Sequence, residues 1–270
     1  MGGLRNLLSA NFLRLKKSKL FWGLLAGMLA YGLYRVIRGH LVRPDYEQEL
    51  ILFDHAEYIV WFMAVFTSFF LGSDHTDNTI RNKVLGGHTR LTIYLAHLTT
   101  TVLVSFCFCA AYMLPVWGLG RVLLVPPNPL FHSPGEIPYI MLAILAMSMA
   151  FCAFYTAVVL NDSNKAGALM VCILTALVLR FVMDRLFVWL RSNPEFLYDG
   201  YPNPQYPGVW HPIGRFVLDF LPSGQAERLS RATGYHGEEM QLERMPLLSL
   251  LFTAVSTGFG YALFRKKDLK

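Results

Sequence analysis

Charge is scarce in this sequence. Only 16% of its residues are Asp, Glu, Lys or Arg while 54% are hydrophobic, against about a quarter charged in an ordinary soluble domain. The charges that exist cluster in short stretches, and the runs between them are long and nearly uncharged. A core helix of a soluble protein carries a polar stripe; a helix surrounded by lipid does not. These runs lack the stripe, which excludes an ordinary soluble fold. Cysteine is also scarce. Cys107, Cys109, Cys152 and Cys172 all lie inside apolar runs, without metal-ligand spacing to a histidine and outside the loops where a disulfide framework would sit. They read as small apolar residues.

Catalytic signatures are missing as well. There is no G-x-x-x-x-G-K-[ST] phosphate loop and no Gly-Lys pair at all, nor any H-E-x-x-H, G-x-S-x-G or paired-cysteine zinc pattern. The eight histidines are scattered. No metal site and no enzyme activity is expected of the chain itself, so energised work would draw on a partner chain or an ion gradient. Ion-coupled carriers place ionisable groups deep in the membrane, and the apolar runs are nearly clean of them. A nucleic-acid partner is not expected, because no basic patch interleaved with aromatics and no reader fold is present. No small-residue cleavage site follows the first apolar run, so that run is expected to remain in the mature chain. Internal repeats and low-complexity tracts are absent.

What the sequence does hold is six apolar runs, near Leu20–Ile37, Ala56–Gly72, Thr92–Gly118, Pro138–Leu160, Ala166–Leu190 and Pro246–Phe264. Each approaches the length that crosses about 30 Å of hydrocarbon at 1.5 Å per residue. The fold expected is an all-α membrane protein, a single transmembrane domain of six helices over residues 1–270. Before the first run, Leu4, Leu7, Leu8, Phe12 and Leu15 fall near helical spacing among Arg5, Arg14, Lys16, Lys17 and Lys19. That pattern suits an interfacial helix, apolar side toward lipid and cations toward anionic headgroups.

Orientation follows the basic residues. With the N-terminus inside, the cytoplasmic set is Arg5, Arg14, Lys16, Lys17, Lys19, Arg81, Lys83, Arg90, Lys165, Arg265, Lys266, Lys267 and Lys270. This is more than half of the 24 basic residues and includes every lysine. The expectation is a multi-pass protein of the cell membrane with both termini cytoplasmic. The long outer stretch Arg191–Met245 opens with Pro, Tyr and Asn turns. It then carries Ile213–Leu221, with Arg215 and Asp219 spaced i, i+4, as a re-entrant or interfacial helix.

Two polar stretches carry the candidate chemistry. At the outer end of the fifth run, Arg180 and Asp184 stand one turn apart beside Arg185. Either the arginines snorkel outward with Asp184 neutralising one, or the group is a polar patch on an exit path for an amphiphile. The connection Ser73–Arg90, SDHTDNTIRNKVLGGHTR, is polar, and Asp74 and Asp77 precede Arg81 and Lys83, the order that suits a helix dipole. A short helix from about Asp74 to Leu85, stopped by Gly86 and Gly87, reads as a docking element for a cytoplasmic partner. Gly23 and Gly27, with Ala146 and Ala150, have the spacing that lets helices approach closely.

The order of these parts resembles the permease subunits of type-2 ABC exporters, especially the bacterial branch for peptide antibiotics, bacteriocin immunity and small-peptide export. The likeness rests on NFLRLKKSKLFW, TIRNKVLGGHTR, FLPSGQ at Phe220–Gln225 and the C-terminal FRKKDLK. It implies a separate cytoplasmic ABC ATPase binding ATP and magnesium, and a second permease subunit, the same or a related chain. It further implies that residues 4–17 form the connecting helix and that Asp74, Asp77, Thr79, Ile80, Arg81, Asn82, Lys83 and Leu85 form or support the coupling helix. Arg180, Asp184, Arg185, Arg215 and Asp219 would then line the outer gate of an amphiphile's path. A membrane immunity or sensor protein that binds a toxin peptide without moving it is the alternative.

Overall fold

A computed structural model describes residues 2–42, 48–76, 79–125, 136–162, 164–195, 203–230 and 242–267. Among them there is no strand, and twelve helices follow in order: α1 Gly2–Lys17, α2 Lys19–Val42, α3 Glu49–Leu52, α4 His55–Thr76, α5 Thr79–Leu85, α6 Arg90–Gly118, α7 Gly120–Leu123, α8 Glu136–Asn161, α9 Lys165–Ser192, α10 Trp210–Phe220, α11 Pro222–Ser230 and α12 Met245–Lys266. Six of these, α2, α4, α6, α8, α9 and α12, are long and apolar enough to cross a membrane. Each covers one of the six apolar runs, so the chain is a multi-pass membrane protein.

The centre of the bundle is α4, α6 and α8. Half or more of the apolar window of each is buried, against about a fifth for α2, α9 and α12. The core there is aromatic and close-packed, with Phe66, Phe108, Tyr112 and Tyr155 almost wholly enclosed. In the outer three helices, residues such as Leu174, Phe181, Leu251 and Phe259 remain exposed, a face for lipid rather than for water.

Several polar contacts fix which ends meet. Arg90, at the start of α6, donates to the carbonyls of Phe264, Arg265 and Lys267 at 2.8, 2.9 and 2.6 Å, so a cation satisfies the orphan carbonyls that end α12. Lys267 Nζ reaches the Leu160 carbonyl at 3.1 Å. One end of the bundle therefore gathers α1, α5, the start of α6, the α8–α9 turn and the end of α12. The opposite end carries α3, α7, α10 and α11.

α1 is amphipathic, as its spacing predicts, and it packs on protein as well as exposing cations. Leu7 is buried with Ile93 and Ala96, and Asn11 Nδ2 donates to Thr100 Oγ1 at 3.1 Å. Lys16, Lys17 and Lys19 are exposed. The small-residue spacings divide. Ala146 and Ala150 are buried inside the bundle, and Gly27 touches Phe62, but a side chain at Gly23 would meet nothing within 4 Å.

Candidate functional site

At the end that holds the termini, the polar connection folds differently from the single helix expected over Asp74–Leu85. α4 runs on to Thr76, which puts Asp74 in its last turn, and a separate α5 begins at Thr79. Asp74 is buried, and three groups from three other elements converge on its carboxylate. Arg14 of α1 pairs with Oδ1 and also donates to the Phe70 carbonyl, its guanidinium lying 3.9 Å from the Phe70 ring centre. Lys83 of α5 donates to Oδ2 at 2.7 Å. His97 Nε2 of α6 lies 3.1 Å from the same oxygen. Burying a carboxylate is costly unless it is paired and hydrogen-bonded, and here both oxygens have partners.

Two residues expected in the docking element are thus engaged inside the protein. Asp74 is an internal anchor, and Lys83 turns inward to it; neither presents a free charge to a partner. Ile80 is also buried. Arg81, Asn82 and Leu85 point outward, Leu85 with 75% of its surface exposed, and Thr79 is half-buried. Asp77 lies outside the described residues. The stop is as expected: Gly87 adopts φ +84°, the left-handed conformation glycine tolerates without strain. The Gly87 N–H closes on Val84 O and the His88 N–H on Lys83 O. α5 is thus a short platform, tethered on its inner side and open on its outer side.

The opposite end holds the second polar assembly. Leu221 ends α10 in extended backbone and Pro222 opens α11, where a proline loses no hydrogen bond. Gly224 lets the two helices touch, since a side chain there would meet Leu218 Cα at 2.6 Å. Gln225 then clamps the corner: its amide donates to Asp219 O at 2.6 Å and Met245 O at 3.2 Å, and its carbonyl accepts from Ser249 at 2.5 Å. That accounts physically for the FLPSGQ stretch. All nine residues of α11 are buried, packed against α4, α8, α9 and α10.

The ion pairs at this end also reach beyond the expected neighbours. Arg180 of α9 reaches Glu57 of α4 at 2.5 Å and Glu227 of α11 at 3.1 Å, so it ties three elements together rather than resting on Asp184 alone. Asp219 pairs with Arg228 of α11, with Arg215 also near enough to favour its charge. Burial still raises the Asp219 carboxyl above its ordinary value. Asp184 is half-buried, and Arg185 is exposed with its guanidinium 5.2 Å from the Phe181 ring centre. Nearby, Asp54 pairs with Arg35, and burial pushes its carboxyl up to about 6, the Arg35 charge opposing and the Glu57 charge adding.

Between α4, α8, α9 and α11 lies a cleft of about 390 Å³ including its mouth, lined by Glu57, Trp61, Phe154, Tyr155, Arg180 and Ser223 among others. Glu57, Glu227, Ser223, Arg14 as an ion-pair partner and His97 were not singled out for these places by sequence reasoning. Their partners lie on distant helices, and only the FLPSGQ stretch hinted that this corner is built. No known family model and no curated protein matches the chain.

Proposed function

We propose that the chain is the transmembrane subunit of an ATP-driven exporter of the type-2 ABC class, moving an amphiphilic peptide or peptide-like antibiotic outward. The observation that carries the reading is α5. It stands beyond the spanning helices, exposes Arg81, Asn82 and the apolar Leu85, and is bound through Lys83 to Asp74 on a central spanning helix. An exposed leucine beside an arginine, on a rigidly tethered short helix, fits a groove on a cytoplasmic ATPase that binds ATP and magnesium. With the positive-inside distribution of the lysines, α5 and both termini face the cytoplasm of the cell membrane. α1 then borders the inner headgroup layer, and α10 and α11 fold back into the outer half of the bundle as a re-entrant cap. A second permease subunit, the same or a related chain, completes the translocation path. ATP-driven closure of the ATPases moves the α5 platforms as rigid bodies and opens the path outward.

The test uses the two outward residues, because reversing Lys83 would break the internal tether. The tagged chain is solubilised from its native membrane and captured, wild type beside Arg81→Glu plus Leu85→Ala. An ATPase carrying the phosphate loop that this chain lacks should co-purify with wild type and be lost from the variant, whose melting temperature stays within about 2 °C. If well-folded wild type retains no ATPase, the export reading fails and toxin binding without transport takes its place.

A further inference from the structure

We infer that the cleft between α4, α8, α9 and α11 is a binding site for an organic ammonium group carried on an apolar or aromatic body. Its walls are aromatic. Phe151 and Tyr155 stack with ring centres 6.0 Å apart and planes 21° apart, Phe154 leans edge-on to Tyr155 at 5.7 Å, and Trp61 closes a further side. Ring faces attract cations, and the attraction strengthens where water is excluded.

The polar groups select the sign of the ligand. Arg180, the cation on the lining, is already held by two carboxylates, so an anion entering the cleft would have to displace one of them. Glu57 uses Oε1 for Arg180 and, as a carboxylate, has a second oxygen with which to accept. Ser223 lines the same space. It is only 9% exposed, and its hydroxyl oxygen, sealed from solvent, has no hydrogen-bond partner. An unpaired buried hydroxyl costs about 1–3 kcal/mol, a penalty that a ligand N–H would relieve. Carboxylate oxygen, free hydroxyl and aromatic walls together form a receptor for a donor cation. Most of the cleft's volume is open mouth, and the enclosed part has room for little more than one water-sized group, which suits an ammonium head whose apolar body lies in the mouth. The assignment stands on the cleft alone and requires nothing of the export reading.

The probe is phenethylammonium, with 3-phenylpropionate as the anion of similar shape, read by ligand-observed saturation-transfer NMR on the full chain in phosphatidylglycerol–phosphatidylcholine nanodiscs. Wild type should bind the ammonium saturably and the carboxylate at least about tenfold more weakly. Glu57→Gln should weaken the ammonium about tenfold, and Ser223→Ala about threefold. The serine variant guards against loss of folding, because no partner depends on its hydroxyl. Equal binding of both probes, or unchanged affinity in both variants of intact melting temperature, overturns the site. Replacing phosphatidylcholine by phosphatidylethanolamine distinguishes the two natural sources. Loss of probe binding assigns the site to a lipid ethanolamine headgroup, and unchanged binding assigns it to a non-lipid amine.

Discussion

Asp74→Asn tests the tether beneath α5 most directly. The carboxylate takes contacts from Arg14, Lys83 and His97, and its side chain is only 2% exposed. Asparagine keeps the shape and one acceptor oxygen, but it turns an amide N–H₂ toward a donor and removes the charge. Removing one partner of a buried ion pair costs about 3–5 kcal/mol. Here the loss is smaller, because the Arg14 side chain is 34% exposed and recovers water, whereas Lys83, at 13%, recovers little. The expected loss is therefore about 2–4 kcal/mol. At roughly 2–4 °C per kcal/mol for a chain of this size, the melting temperature should fall by about 4–16 °C. Thermal unfolding in detergent, followed by intrinsic fluorescence, measures it, with Lys83→Met and the double variant completing a cycle. Lys83→Met alone should lose less, about 1–2 kcal/mol, because Arg14 and His97 still hold the carboxylate. The double variant should then fall short of the sum by about 1 kcal/mol. Asp74→Asn within about 0.5 kcal/mol of wild type, or a strictly additive cycle, refutes the tether.

Two further predictions concern packing and pH. A side chain at Gly260 of α12 would meet the Tyr94 hydroxyl at 2.5 Å and Ala157 Cα at 3.0 Å, so Gly260→Ala should destabilise by about 1–3 kcal/mol through forced separation of α12 from α8. Gly23→Ala, facing open space, should be neutral or slightly stabilising through helix propensity; equal melting temperatures for the two variants would contradict the close approach. The Asp54 carboxyl is raised from 3.8 to about 6, which means that the folded chain holds its proton more tightly than the unfolded one. Its contribution to stability is full below pH 3.8 and is lost as pH rises through about 6. Asp54→Asn should flatten that part of the melting-temperature profile, with Asp219, also raised by burial, leaving a residual slope of the same sign. A variant profile as steep as wild type would show that the slope arises elsewhere.

The spans were legible because lipid imposes a length and a polarity that no other environment imposes together, and each apolar run became one helix. The destinations of the charges were not. Asp74 reads as part of a solvated connection, since its nearest basic residues in sequence are Arg81 and Lys83. Its burial depends also on Arg14 and His97, which reach it from α1 and α6. Likewise the i, i+4 spacings pointed Arg180 to Asp184 and Arg215 to Asp219, but gave no sign that Arg180 also pairs with Glu57 and Glu227, or Asp219 with Arg228. Local spacing shows which groups can meet along one helix and says nothing about a stronger partner arriving from another. Glycine shows the same limit. Gly23 has the packing spacing, yet a side chain there would meet nothing among the described residues, while Gly224, outside any such pair, sits where backbones approach closely.

Both polar assemblies hang on one element. Glu57 lies in the first turn of α4 and Asp74 in its last, about 25 Å apart along the axis at 1.5 Å per residue. No proline interrupts the helix between them, and most of that span is buried, so α4 is enclosed along most of the length that joins the two assemblies. α5 is held at one end through Lys83, and α9 is held at the other through Arg180, which also holds α11. Each assembly buries charge that apolar side chains would replace with little loss or some gain in stability. Packing of the core therefore does not account for them. What they supply is connection: the helix that holds α5 at one end through Asp74 carries one wall of the aromatic cleft at the other.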